Sequence, residues 1–221
     1  MSKIITIAHQ KGGVGKSTLA LNLAYAFALK PPTAVIDLDQ QGTIARLKDL
    51  IPADGPVILQ DDTLTPKGIT IQYNEFKMIV IDTPPYNNDK LPALLAISDV
   101  VIIPTKAGIP DAMAIQNTVA IVKAAQAKKK DLQAGIVINM IKPRSALTEE
   151  AKNHLVKYDI PIIAEIGDRV AYGRTLYTGG VIAGTDELAK YEINNLVLQI
   201  LRMVTGVDLS KGELHSPHVN V

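Results

Sequence analysis

Three features of the sequence predict a doubly wound α/β fold, a mainly parallel sheet with helices on both faces. Short β-branched runs alternate with longer helical patterns along most of the chain. The runs are almost continuously apolar, as in Ile4-Ile5-Thr6-Ile7 and Val100-Val101-Ile102-Ile103, which is the pattern of strands covered on both sides. Polar residues gather just after the runs, at the carboxyl ends where such sheets collect ligands. Parallel neighbours require crossovers, and right-handed helical ones are expected.

In order, the first strand is expected over residues 4–8, followed by a glycine-rich turn and a helix over 16–29. A strand at 33–37 leads to a helix at 43–50, and the run Met-Ile-Val-Ile-Asp at 78–82 precedes a helix at 90–96. Strands at 100–104 and 135–139 precede helices at 111–128 and 147–158. A last strand at 161–164 opens into a glycine-punctuated segment, 165–180, before a helix at 186–204. Residues 1–206 read as one domain, since no linker divides them, and 207–221 as a polar tail broken by glycine and proline and expected to be mobile.

Composition narrows the chemistry. Hydrophobic residues at 47% and charged residues at 20% are ordinary globular usage, which excludes disordered and fibrous classes. Lys and Arg total 23 against 22 Asp and Glu, so attraction to nucleic acid has to come from a local patch. Cysteine is absent, which removes disulfides, thiolate metal sites and cysteine nucleophiles. The start of the chain has no secretory pattern and its apolar runs are far shorter than the roughly 20 residues of a membrane span, so a cytoplasmic location is expected.

The most informative stretch is Ala8 to Thr18, Ala-His-Gln-Lys-Gly-Gly-Val-Gly-Lys-Ser-Thr. It follows a strand and opens a helix, the context a phosphate-binding loop requires. Gly12, Gly13 and Gly15 allow a sharp turn with backbone N–H groups pointing inward, and Val14 completes the cradle. The helix N-terminus adds its dipole, Lys16 brings a full charge to the β and γ phosphates, and the Ser17 hydroxyl suits Mg2+. Mg2+ also wants a carboxylate, and Asp82, closing an apolar run, is the natural partner. The loop departs from the usual pattern in one respect. The first glycine belongs at position 10, where this chain has Gln10, followed at once by a second cation, Lys11.

Lys11-Gly-Gly-Val-Gly-Lys-Ser-Thr18, Asp37-Leu-Asp-Gln-Gln-Gly42 and Ile81-Asp-Thr-Pro-Pro85 together resemble the ParA/MinD family of deviant Walker A ATPases, P-loop NTPases, over about residues 3–205. Having no helix-turn-helix segment ahead of the first strand, the chain is most similar to the small ParA-type partition ATPases, whose DNA binding is not operator-specific. The resemblance implies ATP or ADP with Mg2+ as cofactors and an ATP-sandwich homodimer, in which Lys11 reaches phosphates held by the other subunit. Gly12 then has two readings, backbone geometry within the loop or close approach of two loops.

Hydrolysis needs a positioned water and charge stabilisation more than a strong base. The resemblance implies Asp39 for this task, with Lys11 and Lys16 as the charges. Asp37, two residues away on the same side of an extended segment, is read as supporting the site or Lys16, and both aspartates also suit a strand end that caps the following helix. Gln40 stands where the family often has proline, which bears on the stiffness of this loop. Slow, partner-stimulated turnover is expected of a switch. Asn139, at a strand end, suits a turn, and by resemblance the edge of adenine.

By order along the chain, 165–180 corresponds to a family region of basic DNA contacts, which makes Arg169 and Arg174 DNA candidates, joined by Lys142 and Arg144. Lys128-Lys129-Lys130 also suits solvation of a helix C-terminus, and Lys190 and Arg202 are weaker candidates. The expected partners are non-specific DNA and a ParB-like centromere-binding or cargo adaptor protein, with association to the nucleoid in the ATP state. Membrane attachment is not expected, because the last helical pattern lacks the basic amphipathic face of a membrane-docking helix. A protein-positioning switch without DNA and a P-loop metabolic ligase are the alternatives.

Overall fold

In the computed structural model, which describes residues 2–60, 65–85, 89–143 and 145–206, the apolar runs become strands β1 (Lys3–Ile7), β2 (Thr33–Asp37), β3 (Val57–Gln60), β4 (Met78–Asp82), β5 (Val100–Lys106), β6 (Gln133–Ile141) and β7 (Ile162–Gly167). They form one sheet in the order β3-β2-β4-β1-β5-β6-β7, with every described pairing parallel. The fold is the predicted doubly wound one. The proposed tail, 207–221, and Arg144 lie outside the described residues.

The helices are α1 (Lys16–Ala28), α2 (Pro66–Gln72), α3 (Leu91–Ile97), α4 (Ile109–Ala114), α5 (Gln116–Lys128), α6 (Ala146–Leu155), α7 (Val170–Arg174), α8 (Gly180–Ala183) and α9 (Glu187–Thr205). Consecutive strand residues point to opposite faces, and here both faces are buried. Ile5, Ile7, Val35, Val80 and Ile102 pack with Leu19 and Leu23 of α1 and Ile193 and Leu196 of α9. Val101, Ile103, Ile136 and Ile138 pack on the other face with Leu95, Val122, Ala151 and Leu155. Ile36, Ile79 and Ile81 meet Ile69 of α2 and Leu94 of α3.

Several boundaries differ from the sequence reading. The edge strand β3 is four residues long and buries only Ile58 fully, too little for a periodic signal. For α2, Gly68 and the β-branched Ile69, Thr70 and Ile71 mask a helix whose start is nonetheless marked by Thr65, which caps the Gly68 N–H at 3.1 Å, and by Pro66 at the first turn. The helix expected at 43–50 is a 3-10 helix, Ala45–Leu50, and the one expected at 111–128 begins at Ile109 and loosens at Ile115, where ψ is −12°. Segment 165–180 contains α7 and leads into α8.

The topology fixes where a ligand binds. From β1 the chain crosses to β2 on one side and returns to β4 beside β1, whereas β5 lies on the other side of β1. Chain direction across the sheet therefore reverses at β1, and the crevice beyond its carboxyl end is the switch point of the fold.

Candidate nucleotide site

The segment from His9 to Gly15 fills this crevice. Gly13 and Gly15 have φ of 72° and 87°, the left-handed region, which turns the chain and starts α1 at Lys16. Gly15 is constrained twice, because a Cβ there would also collide with the Asn139 amide. That amide braces the loop: its Nδ2 donates to the Val14 carbonyl at 2.9 Å, and its Oδ1 accepts the Met140 N–H at 2.9 Å. Asn139, expected at the adenine edge, is thus buried beneath the loop with a donor and an acceptor engaged.

The two lysines lie in different places. Lys16 is buried, its Nζ donates to the Lys11 carbonyl at 3.4 Å, and burial lowers its pKa against the opposing pull of Asp82 and Asp39. Lys11 is exposed, and its ammonium is ion-paired with Asp111 of α4. The Lys11 backbone N–H donates to His9 Nδ1 at 2.7 Å, which makes His9 a neutral imidazole with its hydrogen on Nε2. His9 is buried, and its pKa falls to about 4, chiefly through burial and then through the Lys16 and Lys11 charges.

Register brings the aspartates together. Asp37 and Asp82 are direct partners across β2 and β4, and Ile7 partners Asp82 across β4 and β1. They continue the rows of Val35 and Val80, so both carboxylates point to the face that α1 covers. Burial pushes the Asp82 carboxyl up to about 7; the Ser17 hydroxyl is the strongest opposing influence, Asp37 adds repulsion, and Lys16 favours the charge. Neither Asp82 oxygen meets a donor in hydrogen-bond geometry among the described residues, although the carboxylate is fully buried. An orphaned carboxylate beside a hydroxyl fits a hard cation such as Mg2+, which takes oxygen ligands and keeps several waters. Among the described residues no group of three His, Cys, Asp or Glu side chains able to hold a metal occurs.

Asp37 takes up the capping role that a strand-end aspartate suits. Its Oδ1 accepts the Asp39 N–H at 3.0 Å, and its Oδ2 accepts the N–H groups of Ile44 and Ala45 at 2.9 and 3.1 Å. It caps the 3-10 helix and stiffens the loop that carries Asp39 and Gln40. Asp39 is half-buried on this braced loop, its Oδ1 accepting the Gln41 N–H at 2.9 Å, within electrostatic reach of Lys16.

Gly12 is freer than its neighbours. Its φ is outside the left-handed region, and the nearest atom to an added Cβ would be Pro85 Cβ at 3.9 Å. Nothing among the described residues of this chain requires glycine there.

The basic candidates separate. Arg169 is held by Glu192 through Nε and Nη2 at 3.1 and 3.0 Å, so it is not a free surface cation. Lys129 donates to the Ser98 carbonyl and Lys190 pairs with Glu187 at 2.8 Å, both structural uses. Arg174 is exposed at the end of α7. Lys142 is exposed after β6 and lines a cavity of about 400 Å3 with Lys106, Asp111 and Asp168, beside the Lys11 ion pair. The sequence reading missed Asp111 and His9, whose signal is only their proximity to Lys11 after folding. No described helix is long and apolar enough to cross a membrane.

The strand, glycine turn and helix of this crevice, with a buried lysine and an orphaned carboxylate, define a P-loop nucleotide-binding protein. The chain belongs to the CobQ/CobB/MinD/ParA nucleotide binding domain family, whose pattern matches residues 5–180. It is 24% identical over 206 residues to the maintenance of carboxysome distribution protein A of Halothiobacillus neapolitanus, covering 89% of this chain and 95% of the relative. A putative plasmid partition protein from Borrelia burgdorferi bound to AMPPNP superposes with a TM-score of 0.71 at 20% identity, over 91% of this chain and 99% of its own. The septum site-determining protein MinD from Pyrococcus horikoshii, complexed with Mg-ADP, gives 0.68 at 19% identity over 93% and 98%. Adenine nucleotides are thus the ligands of both solved relatives, with Mg2+ in the second.

Proposed function

We propose that this protein is a ParA-type ATPase in which ATP and Mg2+ close a homodimer, and in which the dimer is the active state of a positioning switch. The observation that carries this reading is the division of labour between Lys16, buried in its own phosphate loop, and Lys11, exposed at the edge of the same loop. One phosphate site has use for one buried lysine. The second, on the surface, is available to a nucleotide held by a partner subunit. Gly12, which its own chain leaves free to carry a side chain, fits the close approach of two loops.

In this reading Gly13, Val14, Gly15 and Thr18 form the backbone of the phosphate cradle, and Ser17 and Asp82 would hold Mg2+, which would supply neutralisation of phosphate charge. Asp39 orients the attacking water, and Lys16 and the partner's copy of Lys11 stabilise charge on the transferred phosphoryl group. Asp37 acts through its grip on Asp39. The ATP-bound dimer binds DNA without sequence preference through exposed cations such as Arg174 and Lys142, doubled by symmetry, with Arg144 as a further contributor. An adaptor protein on the cargo, ParB-like in role, stimulates hydrolysis and releases the dimer, which accords with a relative named for carboxysome distribution and another for plasmid partition.

The test is a shift of random-sequence DNA by the protein with ATP, ADP and a non-hydrolysable analogue, across a salt series. Binding that needs the triphosphate and weakens steeply with salt supports the whole reading. ATP-dependent dimers that ignore DNA at low salt leave a positioning switch without DNA, and phosphate release that requires an added carboxylate or amine points to a ligase.

A further inference from the structure

Glu192, on α9, is the centre of a cluster that the phosphate chemistry does not use. Its Oε2 accepts the Gly167 backbone N–H at 3.2 Å and the Tyr172 hydroxyl at 2.7 Å. Its Oε1 accepts Arg169 Nε and Nη2 at 3.1 and 3.0 Å. The Glu192 side chain is only 14% exposed, so these charge-assisted contacts are shielded from water. All the donors lie in the short segment that leaves β7. Gly167 makes the arrangement possible, since a Cβ there would stand 3.1 Å from both Glu192 Oε1 and Arg169 Nε.

That segment is one wall of a cavity of about 210 Å3 that begins at Thr18 and Leu19, directly after the phosphate loop, and is closed by Asn139, Met140, Gly167, Asp168, Arg169 and Tyr172. Met140 offers apolar contact to a flat ring, with Leu19 and Ile166 packed behind, while Asp168 offers a polar edge. A nucleotide with its phosphates on the loop has its base within reach of this cavity.

We propose that Glu192 is the positioning residue for base recognition: by tying Gly167, Arg169 and Tyr172 together from behind, it fixes the wall against which the base rests and sets the preference for adenine. This rests on the assignment of the loop at Gly12–Thr18 to a nucleotide's phosphates. The phosphate loop makes the same contacts with every nucleoside triphosphate, so it cannot discriminate bases. The β7–α7 wall meets only the base. Loosening the wall therefore lowers discrimination and leaves phosphate binding intact, a separation that a general loss of stability does not produce. The same pairing engages Arg169, one of the residues expected from the sequence to contact DNA.

The experiment measures dissociation constants of the full chain for Mg-ATP, Mg-GTP and inorganic tripolyphosphate in wild type, Glu192→Ala and Glu192→Gln, with thermal melting to establish that each is folded. Expected for Glu192→Ala is about tenfold weaker ATP binding, a fall of similar size in the ATP-over-GTP ratio, and unchanged tripolyphosphate binding. Glu192→Gln keeps an acceptor but loses the charge facing Arg169, so it falls between the two, and it decides the matter if the alanine variant does not fold. An unchanged ATP-over-GTP ratio in a folded variant overturns the proposal, as does a parallel loss for all three ligands. Wild-type protein that binds tripolyphosphate but shows no base preference also overturns it while sparing the phosphate loop, and wild type that binds none of the three overturns the nucleotide reading itself.

Discussion

Asn139 Nδ2 donates to the Val14 carbonyl at 2.9 Å, joining the end of β6 to the phosphate loop across 125 positions of sequence. The contact holds the loop in shape from below and forbids any side chain at Gly15. Removing it leaves a buried carbonyl without a donor, at a cost of about 1–3 kcal/mol. Asn139→Ala is therefore expected to weaken ATP and ADP binding alike, by roughly tenfold, in equilibrium titrations. Equal affinity for wild type and variant contradicts the brace.

The ion pair between Lys11 and Asp111 competes with any reach of Lys11 beyond its own subunit. The pair is partly exposed, so its loss is worth no more than about 1 kcal/mol. Asp111→Asn is expected to lower the protein concentration at which ATP drives dimerisation by a few-fold, read by light scattering against protein concentration. A higher concentration requirement assigns Asp111 to the dimer contact instead.

Gly12 has room for a methyl group within its own chain. Gly12→Ala is expected to keep the melting temperature and the affinity for ADP of the wild type while losing most of its ATP-dependent dimer. A fall in ADP affinity instead returns Gly12 to a role inside the loop.

His9 folds neutral, with its pKa brought from 6.5 to about 4 by burial and the Lys16 and Lys11 charges, Asp111 opposing. The sign follows from proton uptake. Between these values the unfolded chain binds a proton on His9 that the folded chain refuses, so the His9 contribution to stability falls as pH drops from about 6.5 towards 4, by about 3 kcal/mol, while the raised Asp82 carboxyl contributes with the opposite sign. Chemical denaturation of wild type and His9→Asn at several pH values isolates the His9 contribution, which is the expected difference between their two slopes. An unchanged slope in the variant assigns the acid sensitivity elsewhere.

Asp39 is close to Lys16 yet is not a brace of the cradle. Asp39→Ala is expected to retain ATP binding and dimerisation while phosphate release falls by two orders of magnitude or more, on the order of a positioned general catalyst's contribution. Retained turnover moves the water-positioning role to another residue.

The strands were legible because parallel sheets demand near-continuous apolar runs, and β1, β2, β4, β5 and β6 carry them. The loop was legible because its glycines, Lys16 and Ser17 are adjacent in sequence. What stayed hidden depends on contacts between distant segments. Asp37 reads as a site residue or a helix cap, and the sequence does not show that its carboxylate gathers the Ile44 and Ala45 N–H groups. Arg169 reads as a surface cation until α9 brings Glu192 beside it. Asn139 reads as an adenine contact, and the fold adds a second use that the sequence does not show, the bracing of the loop by its amide. In each case the residue type announces capacity for a polar bond, and only the fold decides which partner takes it.

The central claim is that Lys11 serves a nucleotide in the other subunit. The most direct measurement is the molar mass of wild type and Lys11→Ala by light scattering, with ADP and with a non-hydrolysable ATP analogue, alongside the affinity of each for both nucleotides. The account predicts that Lys11→Ala binds both nucleotides nearly as well as wild type and remains a monomer with the ATP analogue, while wild type becomes a dimer. A Lys11→Ala protein that dimerises with the analogue at the same concentration as wild type contradicts it.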